Sequence, residues 1–447
     1  MGLSKNIRVF SMVLSCLGGC SSQEGPLYAP PEFGCERSGK FELLTGELPV
    51  GNVTDIWEYG PVLIVQGSGG GFLFHVFDKR SGEPLCGFVR NGRGPGEAVS
   101  LLNAHLGEDG VFTCYDYRAR NVLTIHADSM LARGVAAVAT ERYEMPDCCR
   151  AIVPLGGKRL YMNRTVVKNE HTETISRLEL KDAGNRVVSR YDTYPAVDRE
   201  ILLRIYGLPP FAVSPDGRRL AVGTLTGGIL ETFSLERGIE PLATRYLVEP
   251  HVSTGEAFAF DEREVNCFVD LFATRDRIYA PYDGELRVKE FFETPVERRP
   301  LQFHRIAVFD WDGHALERIT TDWNIRAMCV GADGTIYAAL YDNLSRVFLG
   351  RIVPSEGEEA LRRYPLPRRP NGVPDHTFPP CRNELRQGGN VVWDGSGRHP
   401  AAKTGCPFGY AFLPLLSFSG LSPGRVSYRF STGLMSFTRN CVVTVPR

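Results

Sequence analysis

The sequence has little of what marks most nucleic-acid binders and metalloenzymes. Charge of one sign is missing: 51 basic residues against 52 acidic ones leave a net charge of -1 over 447 residues. That balance excludes a binder that works by neutralising phosphates. No Cys-x-x-Cys pair and no His-Glu-x-x-His or other paired histidine spacing occurs, so no metal site is expected. Nothing in the chain points to a cofactor. No segment reaches the roughly 20 consecutive apolar residues that span a bilayer. No strand runs long enough to suggest βαβ units, so an α/β fold is not expected either.

What is abundant is turn chemistry. Gly 47 and Pro 30 are both high for this length, while 43% hydrophobic and 10% aromatic residues supply a sizeable core. Many turns and much core imply many short strands. One unit recurs: an apolar stretch, a turn often built on Asp-Gly, then a β-rich run. Its turns fall at Gly60, Gly110, Gly157, Gly217, Arg277 and Gly334. Steps of about 50 to 60 residues with several strands each are the signature of propeller blades. Further strands are expected at 72–78, 122–126, 175–180, 229–235, 305–311 and 346–353. The expected fold is therefore all-β, a six-bladed β-propeller over residues 39–365.

The ends of the chain differ from its body. Lys5 and Arg8 precede a short apolar run, Val9 to Leu17, which closes on Leu17-Gly18-Gly19-Cys20. This order reads as a lipoprotein signal over residues 1–19, with Cys20 as the lipid attachment site and 20–38 as lipidated Cys and tether. Ser21 and Ser22 do not form an inner-membrane retention signal, so an outer-membrane lipoprotein of the cell envelope is expected. Residues 366–447 hold ten Pro, ten Gly and ten basic residues against three acidic ones. They read as an irregular, disordered basic tail, or as a small module stapled through Cys381, Cys406 and Cys441, with one strand from Val426 to Phe430. Of the other cysteines, Cys86, Cys114, Cys267 and Cys329 sit in apolar runs and read as buried thiols. Adjacent cysteines rarely bridge each other, so Cys148 and Cys149 read either as exposed loop thiols or as one partner of a disulfide formed elsewhere.

Gly92-Arg93-Gly94-Pro95-Gly96-Glu97, Phe268-Val269-Asp270-Leu271 and Ile306-Ala307-Val308-Phe309-Asp310-Trp311-Asp312-Gly313 resemble segments of the TolB-like six-bladed β-propeller lipoproteins of Bacteroidetes. The likeness spans about residues 5 to 365. It implies the propeller fold and an envelope location, and it carries no established activity or catalytic residues.

If the Asp-Gly turns join the first two strands of each blade, the remaining loops converge on the opposite face around the channel mouth. That face is expected to carry the candidate binding residues Arg93, Glu97, Asp116, Tyr206, Asp283, Trp323 and Asp342. Asp116, Asp283 and Asp342 follow a Tyr in three blades. They are either a ring of carboxylates or Asx-turns that close each loop. Arg93 and Glu97 read as a local pair at a blade corner. Asp310 and Asp312 begin like a calcium loop but lack its later ligands, so an Asp-Gly turn is expected there. Function is expected to be that of a lipid-anchored binding module for a protein or glycan partner, with no nucleic acid. The alternative is a polymer-acting lyase or hydrolase at the channel mouth, whose mark would be a polar, pKa-perturbed cluster such as Asp116, Asp283, Asp342 and Arg93 meeting in space. A purely structural envelope role is the third option.

Overall fold

The computed structural model describes residues 28–353, except 134–137, 143–148, 164–166, 169–170, 173–176, 196, 198–200, 203–204, 208 and 253–259, together with three short strands near the C-terminus. Two short strands come first, β1 (Cys35–Ser38) and β2 (Glu42–Leu43). Six sheets then follow in chain order. The first holds β3 (Val53–Tyr59), β4 (Val62–Gly69), β5 (Phe72–Asp78) and β6 (Pro84–Arg90). The second holds β7 (Leu101–Leu106), β8 (Val111–Asp116), β9 (Asn121–His126) and, after helix α1 (Ala127–Arg133), β10 (Val138–Arg142). In the third, β11 (Cys149–Leu155) and β12 (Lys158–Asn163) precede a small hairpin, β13 (Val167–Lys168) with β14 (His171–Thr172), and then β15 (Leu178–Asp182) and β16 (Val187–Tyr191). The fourth holds β17 (Phe211–Val213), β18 (Arg219–Gly223), β19 (Gly228–Ser234) and β20 (Glu240–Val248). The fifth runs β21 (Phe272–Ala273), β22 (Ile278–Tyr282), helix α2 (Val288–Glu293), β23 (Arg305–Phe309) and β24 (Ala315–Thr320). The sixth holds β25 (Asn324–Val330), β26 (Ile336–Tyr341) and β27 (Val347–Ile352). Each sheet is an antiparallel meander, and the first strands of neighbouring sheets touch, so they line the centre of a six-bladed β-propeller.

The turn chemistry that sets the repeat in the sequence joins the first and second strands of every blade. Gly60, Gly110, Gly157, Gly217 and Gly334 all have positive φ, between 57° and 82°, which a tight turn between antiparallel strands demands and a Cβ disfavours. The fifth blade has no glycine there. Its turn is closed instead by the Thr274 hydroxyl, which accepts the Arg277 N–H at 3.1 Å.

Six clusters of buried side chains fill the six blade interfaces. Phe74, Phe88, Phe112 and Leu123 pack between the first two blades. Leu160, Leu220, Ile229 and Phe233 pack between the third and fourth. The cluster between the second and third blades is small, with Tyr115, Val122, Cys149, Ile152 and Tyr161. Asn103 reinforces that thin seam. Its side-chain amide donates to the Ile152 carbonyl at 2.8 Å and accepts the Ile152 N–H at 3.0 Å, standing in for a missing strand partner.

The ring closes through the N-terminal segment. β2 pairs antiparallel with β27, Glu42 opposite Arg351, and becomes the outer strand of the sixth blade. Residues 20–38 were expected to be tether only. The structure corrects this, since β1 adds to the fifth blade as a parallel outer strand, Cys35 opposite Glu317 through Ser38 opposite Thr320. A four-residue edge strand is held by backbone bonds, so it needs no apolar pattern and leaves none in the sequence. Earlier still, the Ala29 N–H donates to the Tyr246 carbonyl at 3.0 Å on the fourth blade. The segment thus straps three consecutive blades. Near the C-terminus, β28 (Leu415–Phe418), β29 (Val426–Ser431) and β30 (Cys441–Val443) form an antiparallel sheet that includes the strand expected from Val426. The rest of 366–447, and the signal, Cys20 and the tether up to 27, lie outside the described residues.

Candidate functional site

The seven residues expected at the channel mouth do not form one site. Asp116 is 1% exposed and accepts the N–H groups of Val99, Arg118 and Ala119. Asp283 is equally buried and accepts those of Glu285 and Leu286, and Asp342 accepts those of Leu344 and Arg346. These are Asx-turns closing the loops between second and third strands: one oxygen of each Asp serves its own loop backbone, the second oxygen of Asp342 pairs with the Arg346 guanidinium at 2.6 Å, and Oδ2 of Asp283 is buried without a hydrogen-bond partner. Glu97 does not pair with Arg93. Its carboxylate accepts the Gly94 N–H at 2.7 Å, and a Cβ at Gly92 would lie 2.0 Å from it, which explains the glycine-rich corner. Arg93 is exposed. Trp323 packs on Phe348, ring centroids 5.3 Å apart. Of the seven, only Tyr206 lines the central cavity. Cys149, expected in a loop, is fully buried on β11.

The central channel encloses a cavity of about 960 Å³. Its wall is built by a device that strand patterning does not reveal. Four inner strands carry a β-bulge at the same level. The extra residue is Thr54 in β3, Leu102 in β7, Arg150 in β11 and Arg326 in β25. A bulge leaves its residue unpaired and re-aims the side chain. All four line the cavity, together with Asp55 and with Asp270 from the loop that precedes β21. Two carboxylates and two guanidinium groups therefore share the wall of one channel. Asp270 is pinned there: one oxygen accepts the Leu271 N–H at 2.8 Å and the other accepts the Met328 N–H of the sixth blade at 3.1 Å.

Burial pushes the Asp55 carboxyl well above the usual carboxylate range, and the neighbouring Asp270 charge pushes it further, against the opposing pull of Arg326. Asp270 is pushed up to about 7, chiefly by burial, despite its two backbone donors and Arg326. Burial thus favours the protonated form of both carboxyls, and the Asp270 charge adds to that at Asp55. His105, also on the wall, is lowered to about 4 by burial and is neutral at pH 7.

A side lobe of the cavity reaches between the third and fourth blades, where Arg177 is 4% exposed. Its guanidinium pairs bidentately with Glu231 and also donates to the Thr193 carbonyl at 2.9 Å. The rings of Tyr206 and Tyr194 lie 4.5 and 4.7 Å from it. The Tyr206 hydroxyl donates to Glu231 at 2.7 Å. All charges in this lobe are paired within the protein.

The Asp310-Trp311-Asp312-Gly313 motif resolves into a turn. Asp310 accepts the N–H groups of Asp312 and His314 at the β23–β24 turn, as an Asp-Gly turn requires. Gly420-Leu421-Ser422-Pro423-Gly424 has the spacing of a nucleophile elbow and lies outside the described residues, but β28 and β29 on either side pair antiparallel. An elbow needs a strand followed by a helix.

The sequence matches no protein-family model and no curated protein. Solved structures similar to it include a protein from Bacteroides fragilis described as exported, 12% identical, covering 72% of this chain and 99% of that one, with a TM-score of 0.43. Streptogramin B lyase is 9% identical, covering 70% and 97%, with a TM-score of 0.42. U3-55K is 11% identical, covering 70% and 98%, with a TM-score of 0.42. At such distances the likeness carries no chemistry, and the blade count rests on the sheets themselves.

Proposed function

We propose that the protein is a lipid-anchored propeller of the bacterial cell envelope, TolB-like and attached to the outer membrane through Cys20, that binds a protein or glycan partner in its central channel. The observation that carries this reading is the bulged inner wall. It offers fixed hydrogen-bond donors and acceptors in a concave, partly apolar space, whereas the outer loops spend their polar groups on themselves. No helix among the described residues is long and apolar enough to cross a membrane. Tyr28 lies eight positions after Cys20 and packs on Tyr246 with ring centroids 5.4 Å apart. Such a tether reaches at most about 25–30 Å, which holds the fourth blade close to the bilayer.

Crosslinking in cells, followed by isolation of the full-length protein, tests the binding role. A partner recovered in fixed ratio and lost on Arg326→Glu supports it. A partner retained by that variant moves the site elsewhere. Cys20→Ser is expected to release the protein from carbonate-washed membranes, and retention would contradict the anchor.

A second reading is catalytic. Asp55 and Asp270 are two carboxyls in one cleft, both raised by burial, and a raised carboxyl can serve as the acid in cleavage of a polymer. Turnover of a polysaccharide by the wild type and its loss in Asp270→Asn would favour it over simple binding.

A further inference from the structure

We propose that the bulge-level wall of the channel, formed by Thr54, Asp55, Arg150, Asp270 and Arg326, is a recognition site for a neutral oligosaccharide. This rests on the reading of the channel as the binding surface and names what it takes.

Charge balance narrows the ligand first. A cationic group entering the channel would meet Arg150 and Arg326, and the carboxyls of Asp55 and Asp270, both raised towards protonation by burial, offer it little compensating charge. A metal ion fits no better. Among the described residues, no third carboxylate, histidine or cysteine joins Asp55 and Asp270 in a metal-holding group, and Arg326 already acts on both carboxyls. A neutral ligand avoids that penalty and has no charge to desolvate in the channel.

Hydrogen-bond chemistry narrows it further. Arginine only donates, an ionised carboxylate only accepts, and a protonated carboxyl does both. A wall that alternates these groups suits a ligand whose every polar atom both donates and accepts, and a sugar hydroxyl is such a group. The Thr54 hydroxyl adds a group of the same kind, and Thr54 is exposed to the channel. Asp270 is suited to fixed recognition because its two backbone bonds lock the carboxylate while each oxygen retains a second lone pair. Trp57, Phe211 and Phe272 line the same cavity and keep part of their surface open. Their faces suit the apolar C–H faces of sugar rings. The volume of about 960 Å³ stands at the upper end of the roughly 300–1,000 Å³ of small-molecule sites, room for several rings.

The test uses the full mature chain on arrays of neutral, uronic-acid and amino-sugar oligosaccharides, with a peptide array beside them. Neutral glycans are expected to dominate. Asp270→Asn and Arg326→Ala are each expected to weaken that binding about tenfold or more, as loss of a charged hydrogen-bond partner does. Leu344→Ala, on an exposed outer loop, is expected to leave it unchanged. Thr54→Trp, which fills the channel from an exposed position, keeps the test decisive if the other variants fold poorly. Binding dominated by charged glycans or peptides, yet blocked by Thr54→Trp, would overturn the sugar assignment and leave the channel reading standing. Binding that Thr54→Trp does not affect, or no binding on any array, would overturn the sugar assignment; partner capture that survives Arg326→Glu would separately overturn the channel reading.

Discussion

Removing one member of the Arg177–Glu231 pair should be far more damaging than removing the whole network. The two side chains are 4% and 2% exposed, and Glu231 also accepts the Tyr206 hydroxyl. In Glu231→Leu, Arg177 retains the Thr193 carbonyl and the tyrosine faces but no counter-charge. In Arg177→Met, Glu231 retains only Tyr206. An uncompensated buried charge costs about 3–5 kcal/mol. At roughly 2 °C per kcal/mol for a body of this size, each single variant should melt about 6–10 °C lower. In the triple variant Arg177→Met, Glu231→Leu, Tyr206→Phe no charge or hydroxyl is left stranded, and the Thr193 carbonyl lies on an exposed residue that water reaches. It should recover to within about 1–2 kcal/mol of the wild type, because apolar replacement of a complete buried pair is often close to neutral. Thermal melts and urea titrations of the four proteins decide the matter. A triple variant as unstable as the worse single one would refute the reasoning and mean that the network itself, not the stranded charge, holds the third and fourth blades together.

The remaining expectations follow from the same geometry. Asn103→Ala strips both bonds from Ile152, which is fully buried at the thinnest blade seam, and should cost about 2 kcal/mol in urea titration. Asp270 has its folded pKa raised to about 7, so the folded chain keeps a proton that the unfolded chain releases near pH 4. Its contribution to stability is full below that range and is lost as pH rises towards 7. The stability of Asp270→Asn relative to the wild type should therefore rise between pH 5 and 8, measured as the urea midpoint, and a constant difference would show that the carboxyl is not raised. His105, lowered to about 4, works in the opposite direction, costing stability as pH falls from about 6.5. His105→Gln should flatten the acid side of the profile.

The fold was legible because a propeller repeats its turns. A glycine with positive φ is a local requirement that leaves a mark at the same point in five blades, and the strands between follow from it. β5 falls at the residues expected, Phe72–Asp78, because five of its seven residues are apolar and form one β-rich run. The channel wall was not legible in this way. A bulge changes the pairing partner without changing composition, so nothing in Ile325-Arg326-Ala327 announces that Arg326 turns into the cavity. One signal was present: single charges inside otherwise apolar inner strands, a few residues ahead of each turn, as at Asp55, Arg150 and Arg326. The mouth candidates failed for the converse reason. Tyr115-Asp116 and Tyr282-Asp283 repeat because each Asp serves its own loop, so recurrence there marked a turn and not a shared site. Asp270 lay within the Phe268–Leu271 segment that carried the family likeness, and its role as a clamp on Met328 depends on a contact 58 residues away in sequence.

The most direct test of the channel as the binding surface is selective blockage in a background where Cys35, Cys86, Cys148, Cys381, Cys406 and Cys441 are changed to Ser, which removes the exposed and half-buried thiols among the described residues and the cysteines outside them while keeping Cys20. A bulky maleimide is attached either at Thr54→Cys on the inner strand or at Leu344→Cys on an outer loop, and capture of the crosslinked envelope partner is compared. The account predicts that blockage at position 54 abolishes capture while blockage at 344 leaves it intact. Capture that survives the filled channel and is lost at the outer loop would contradict it.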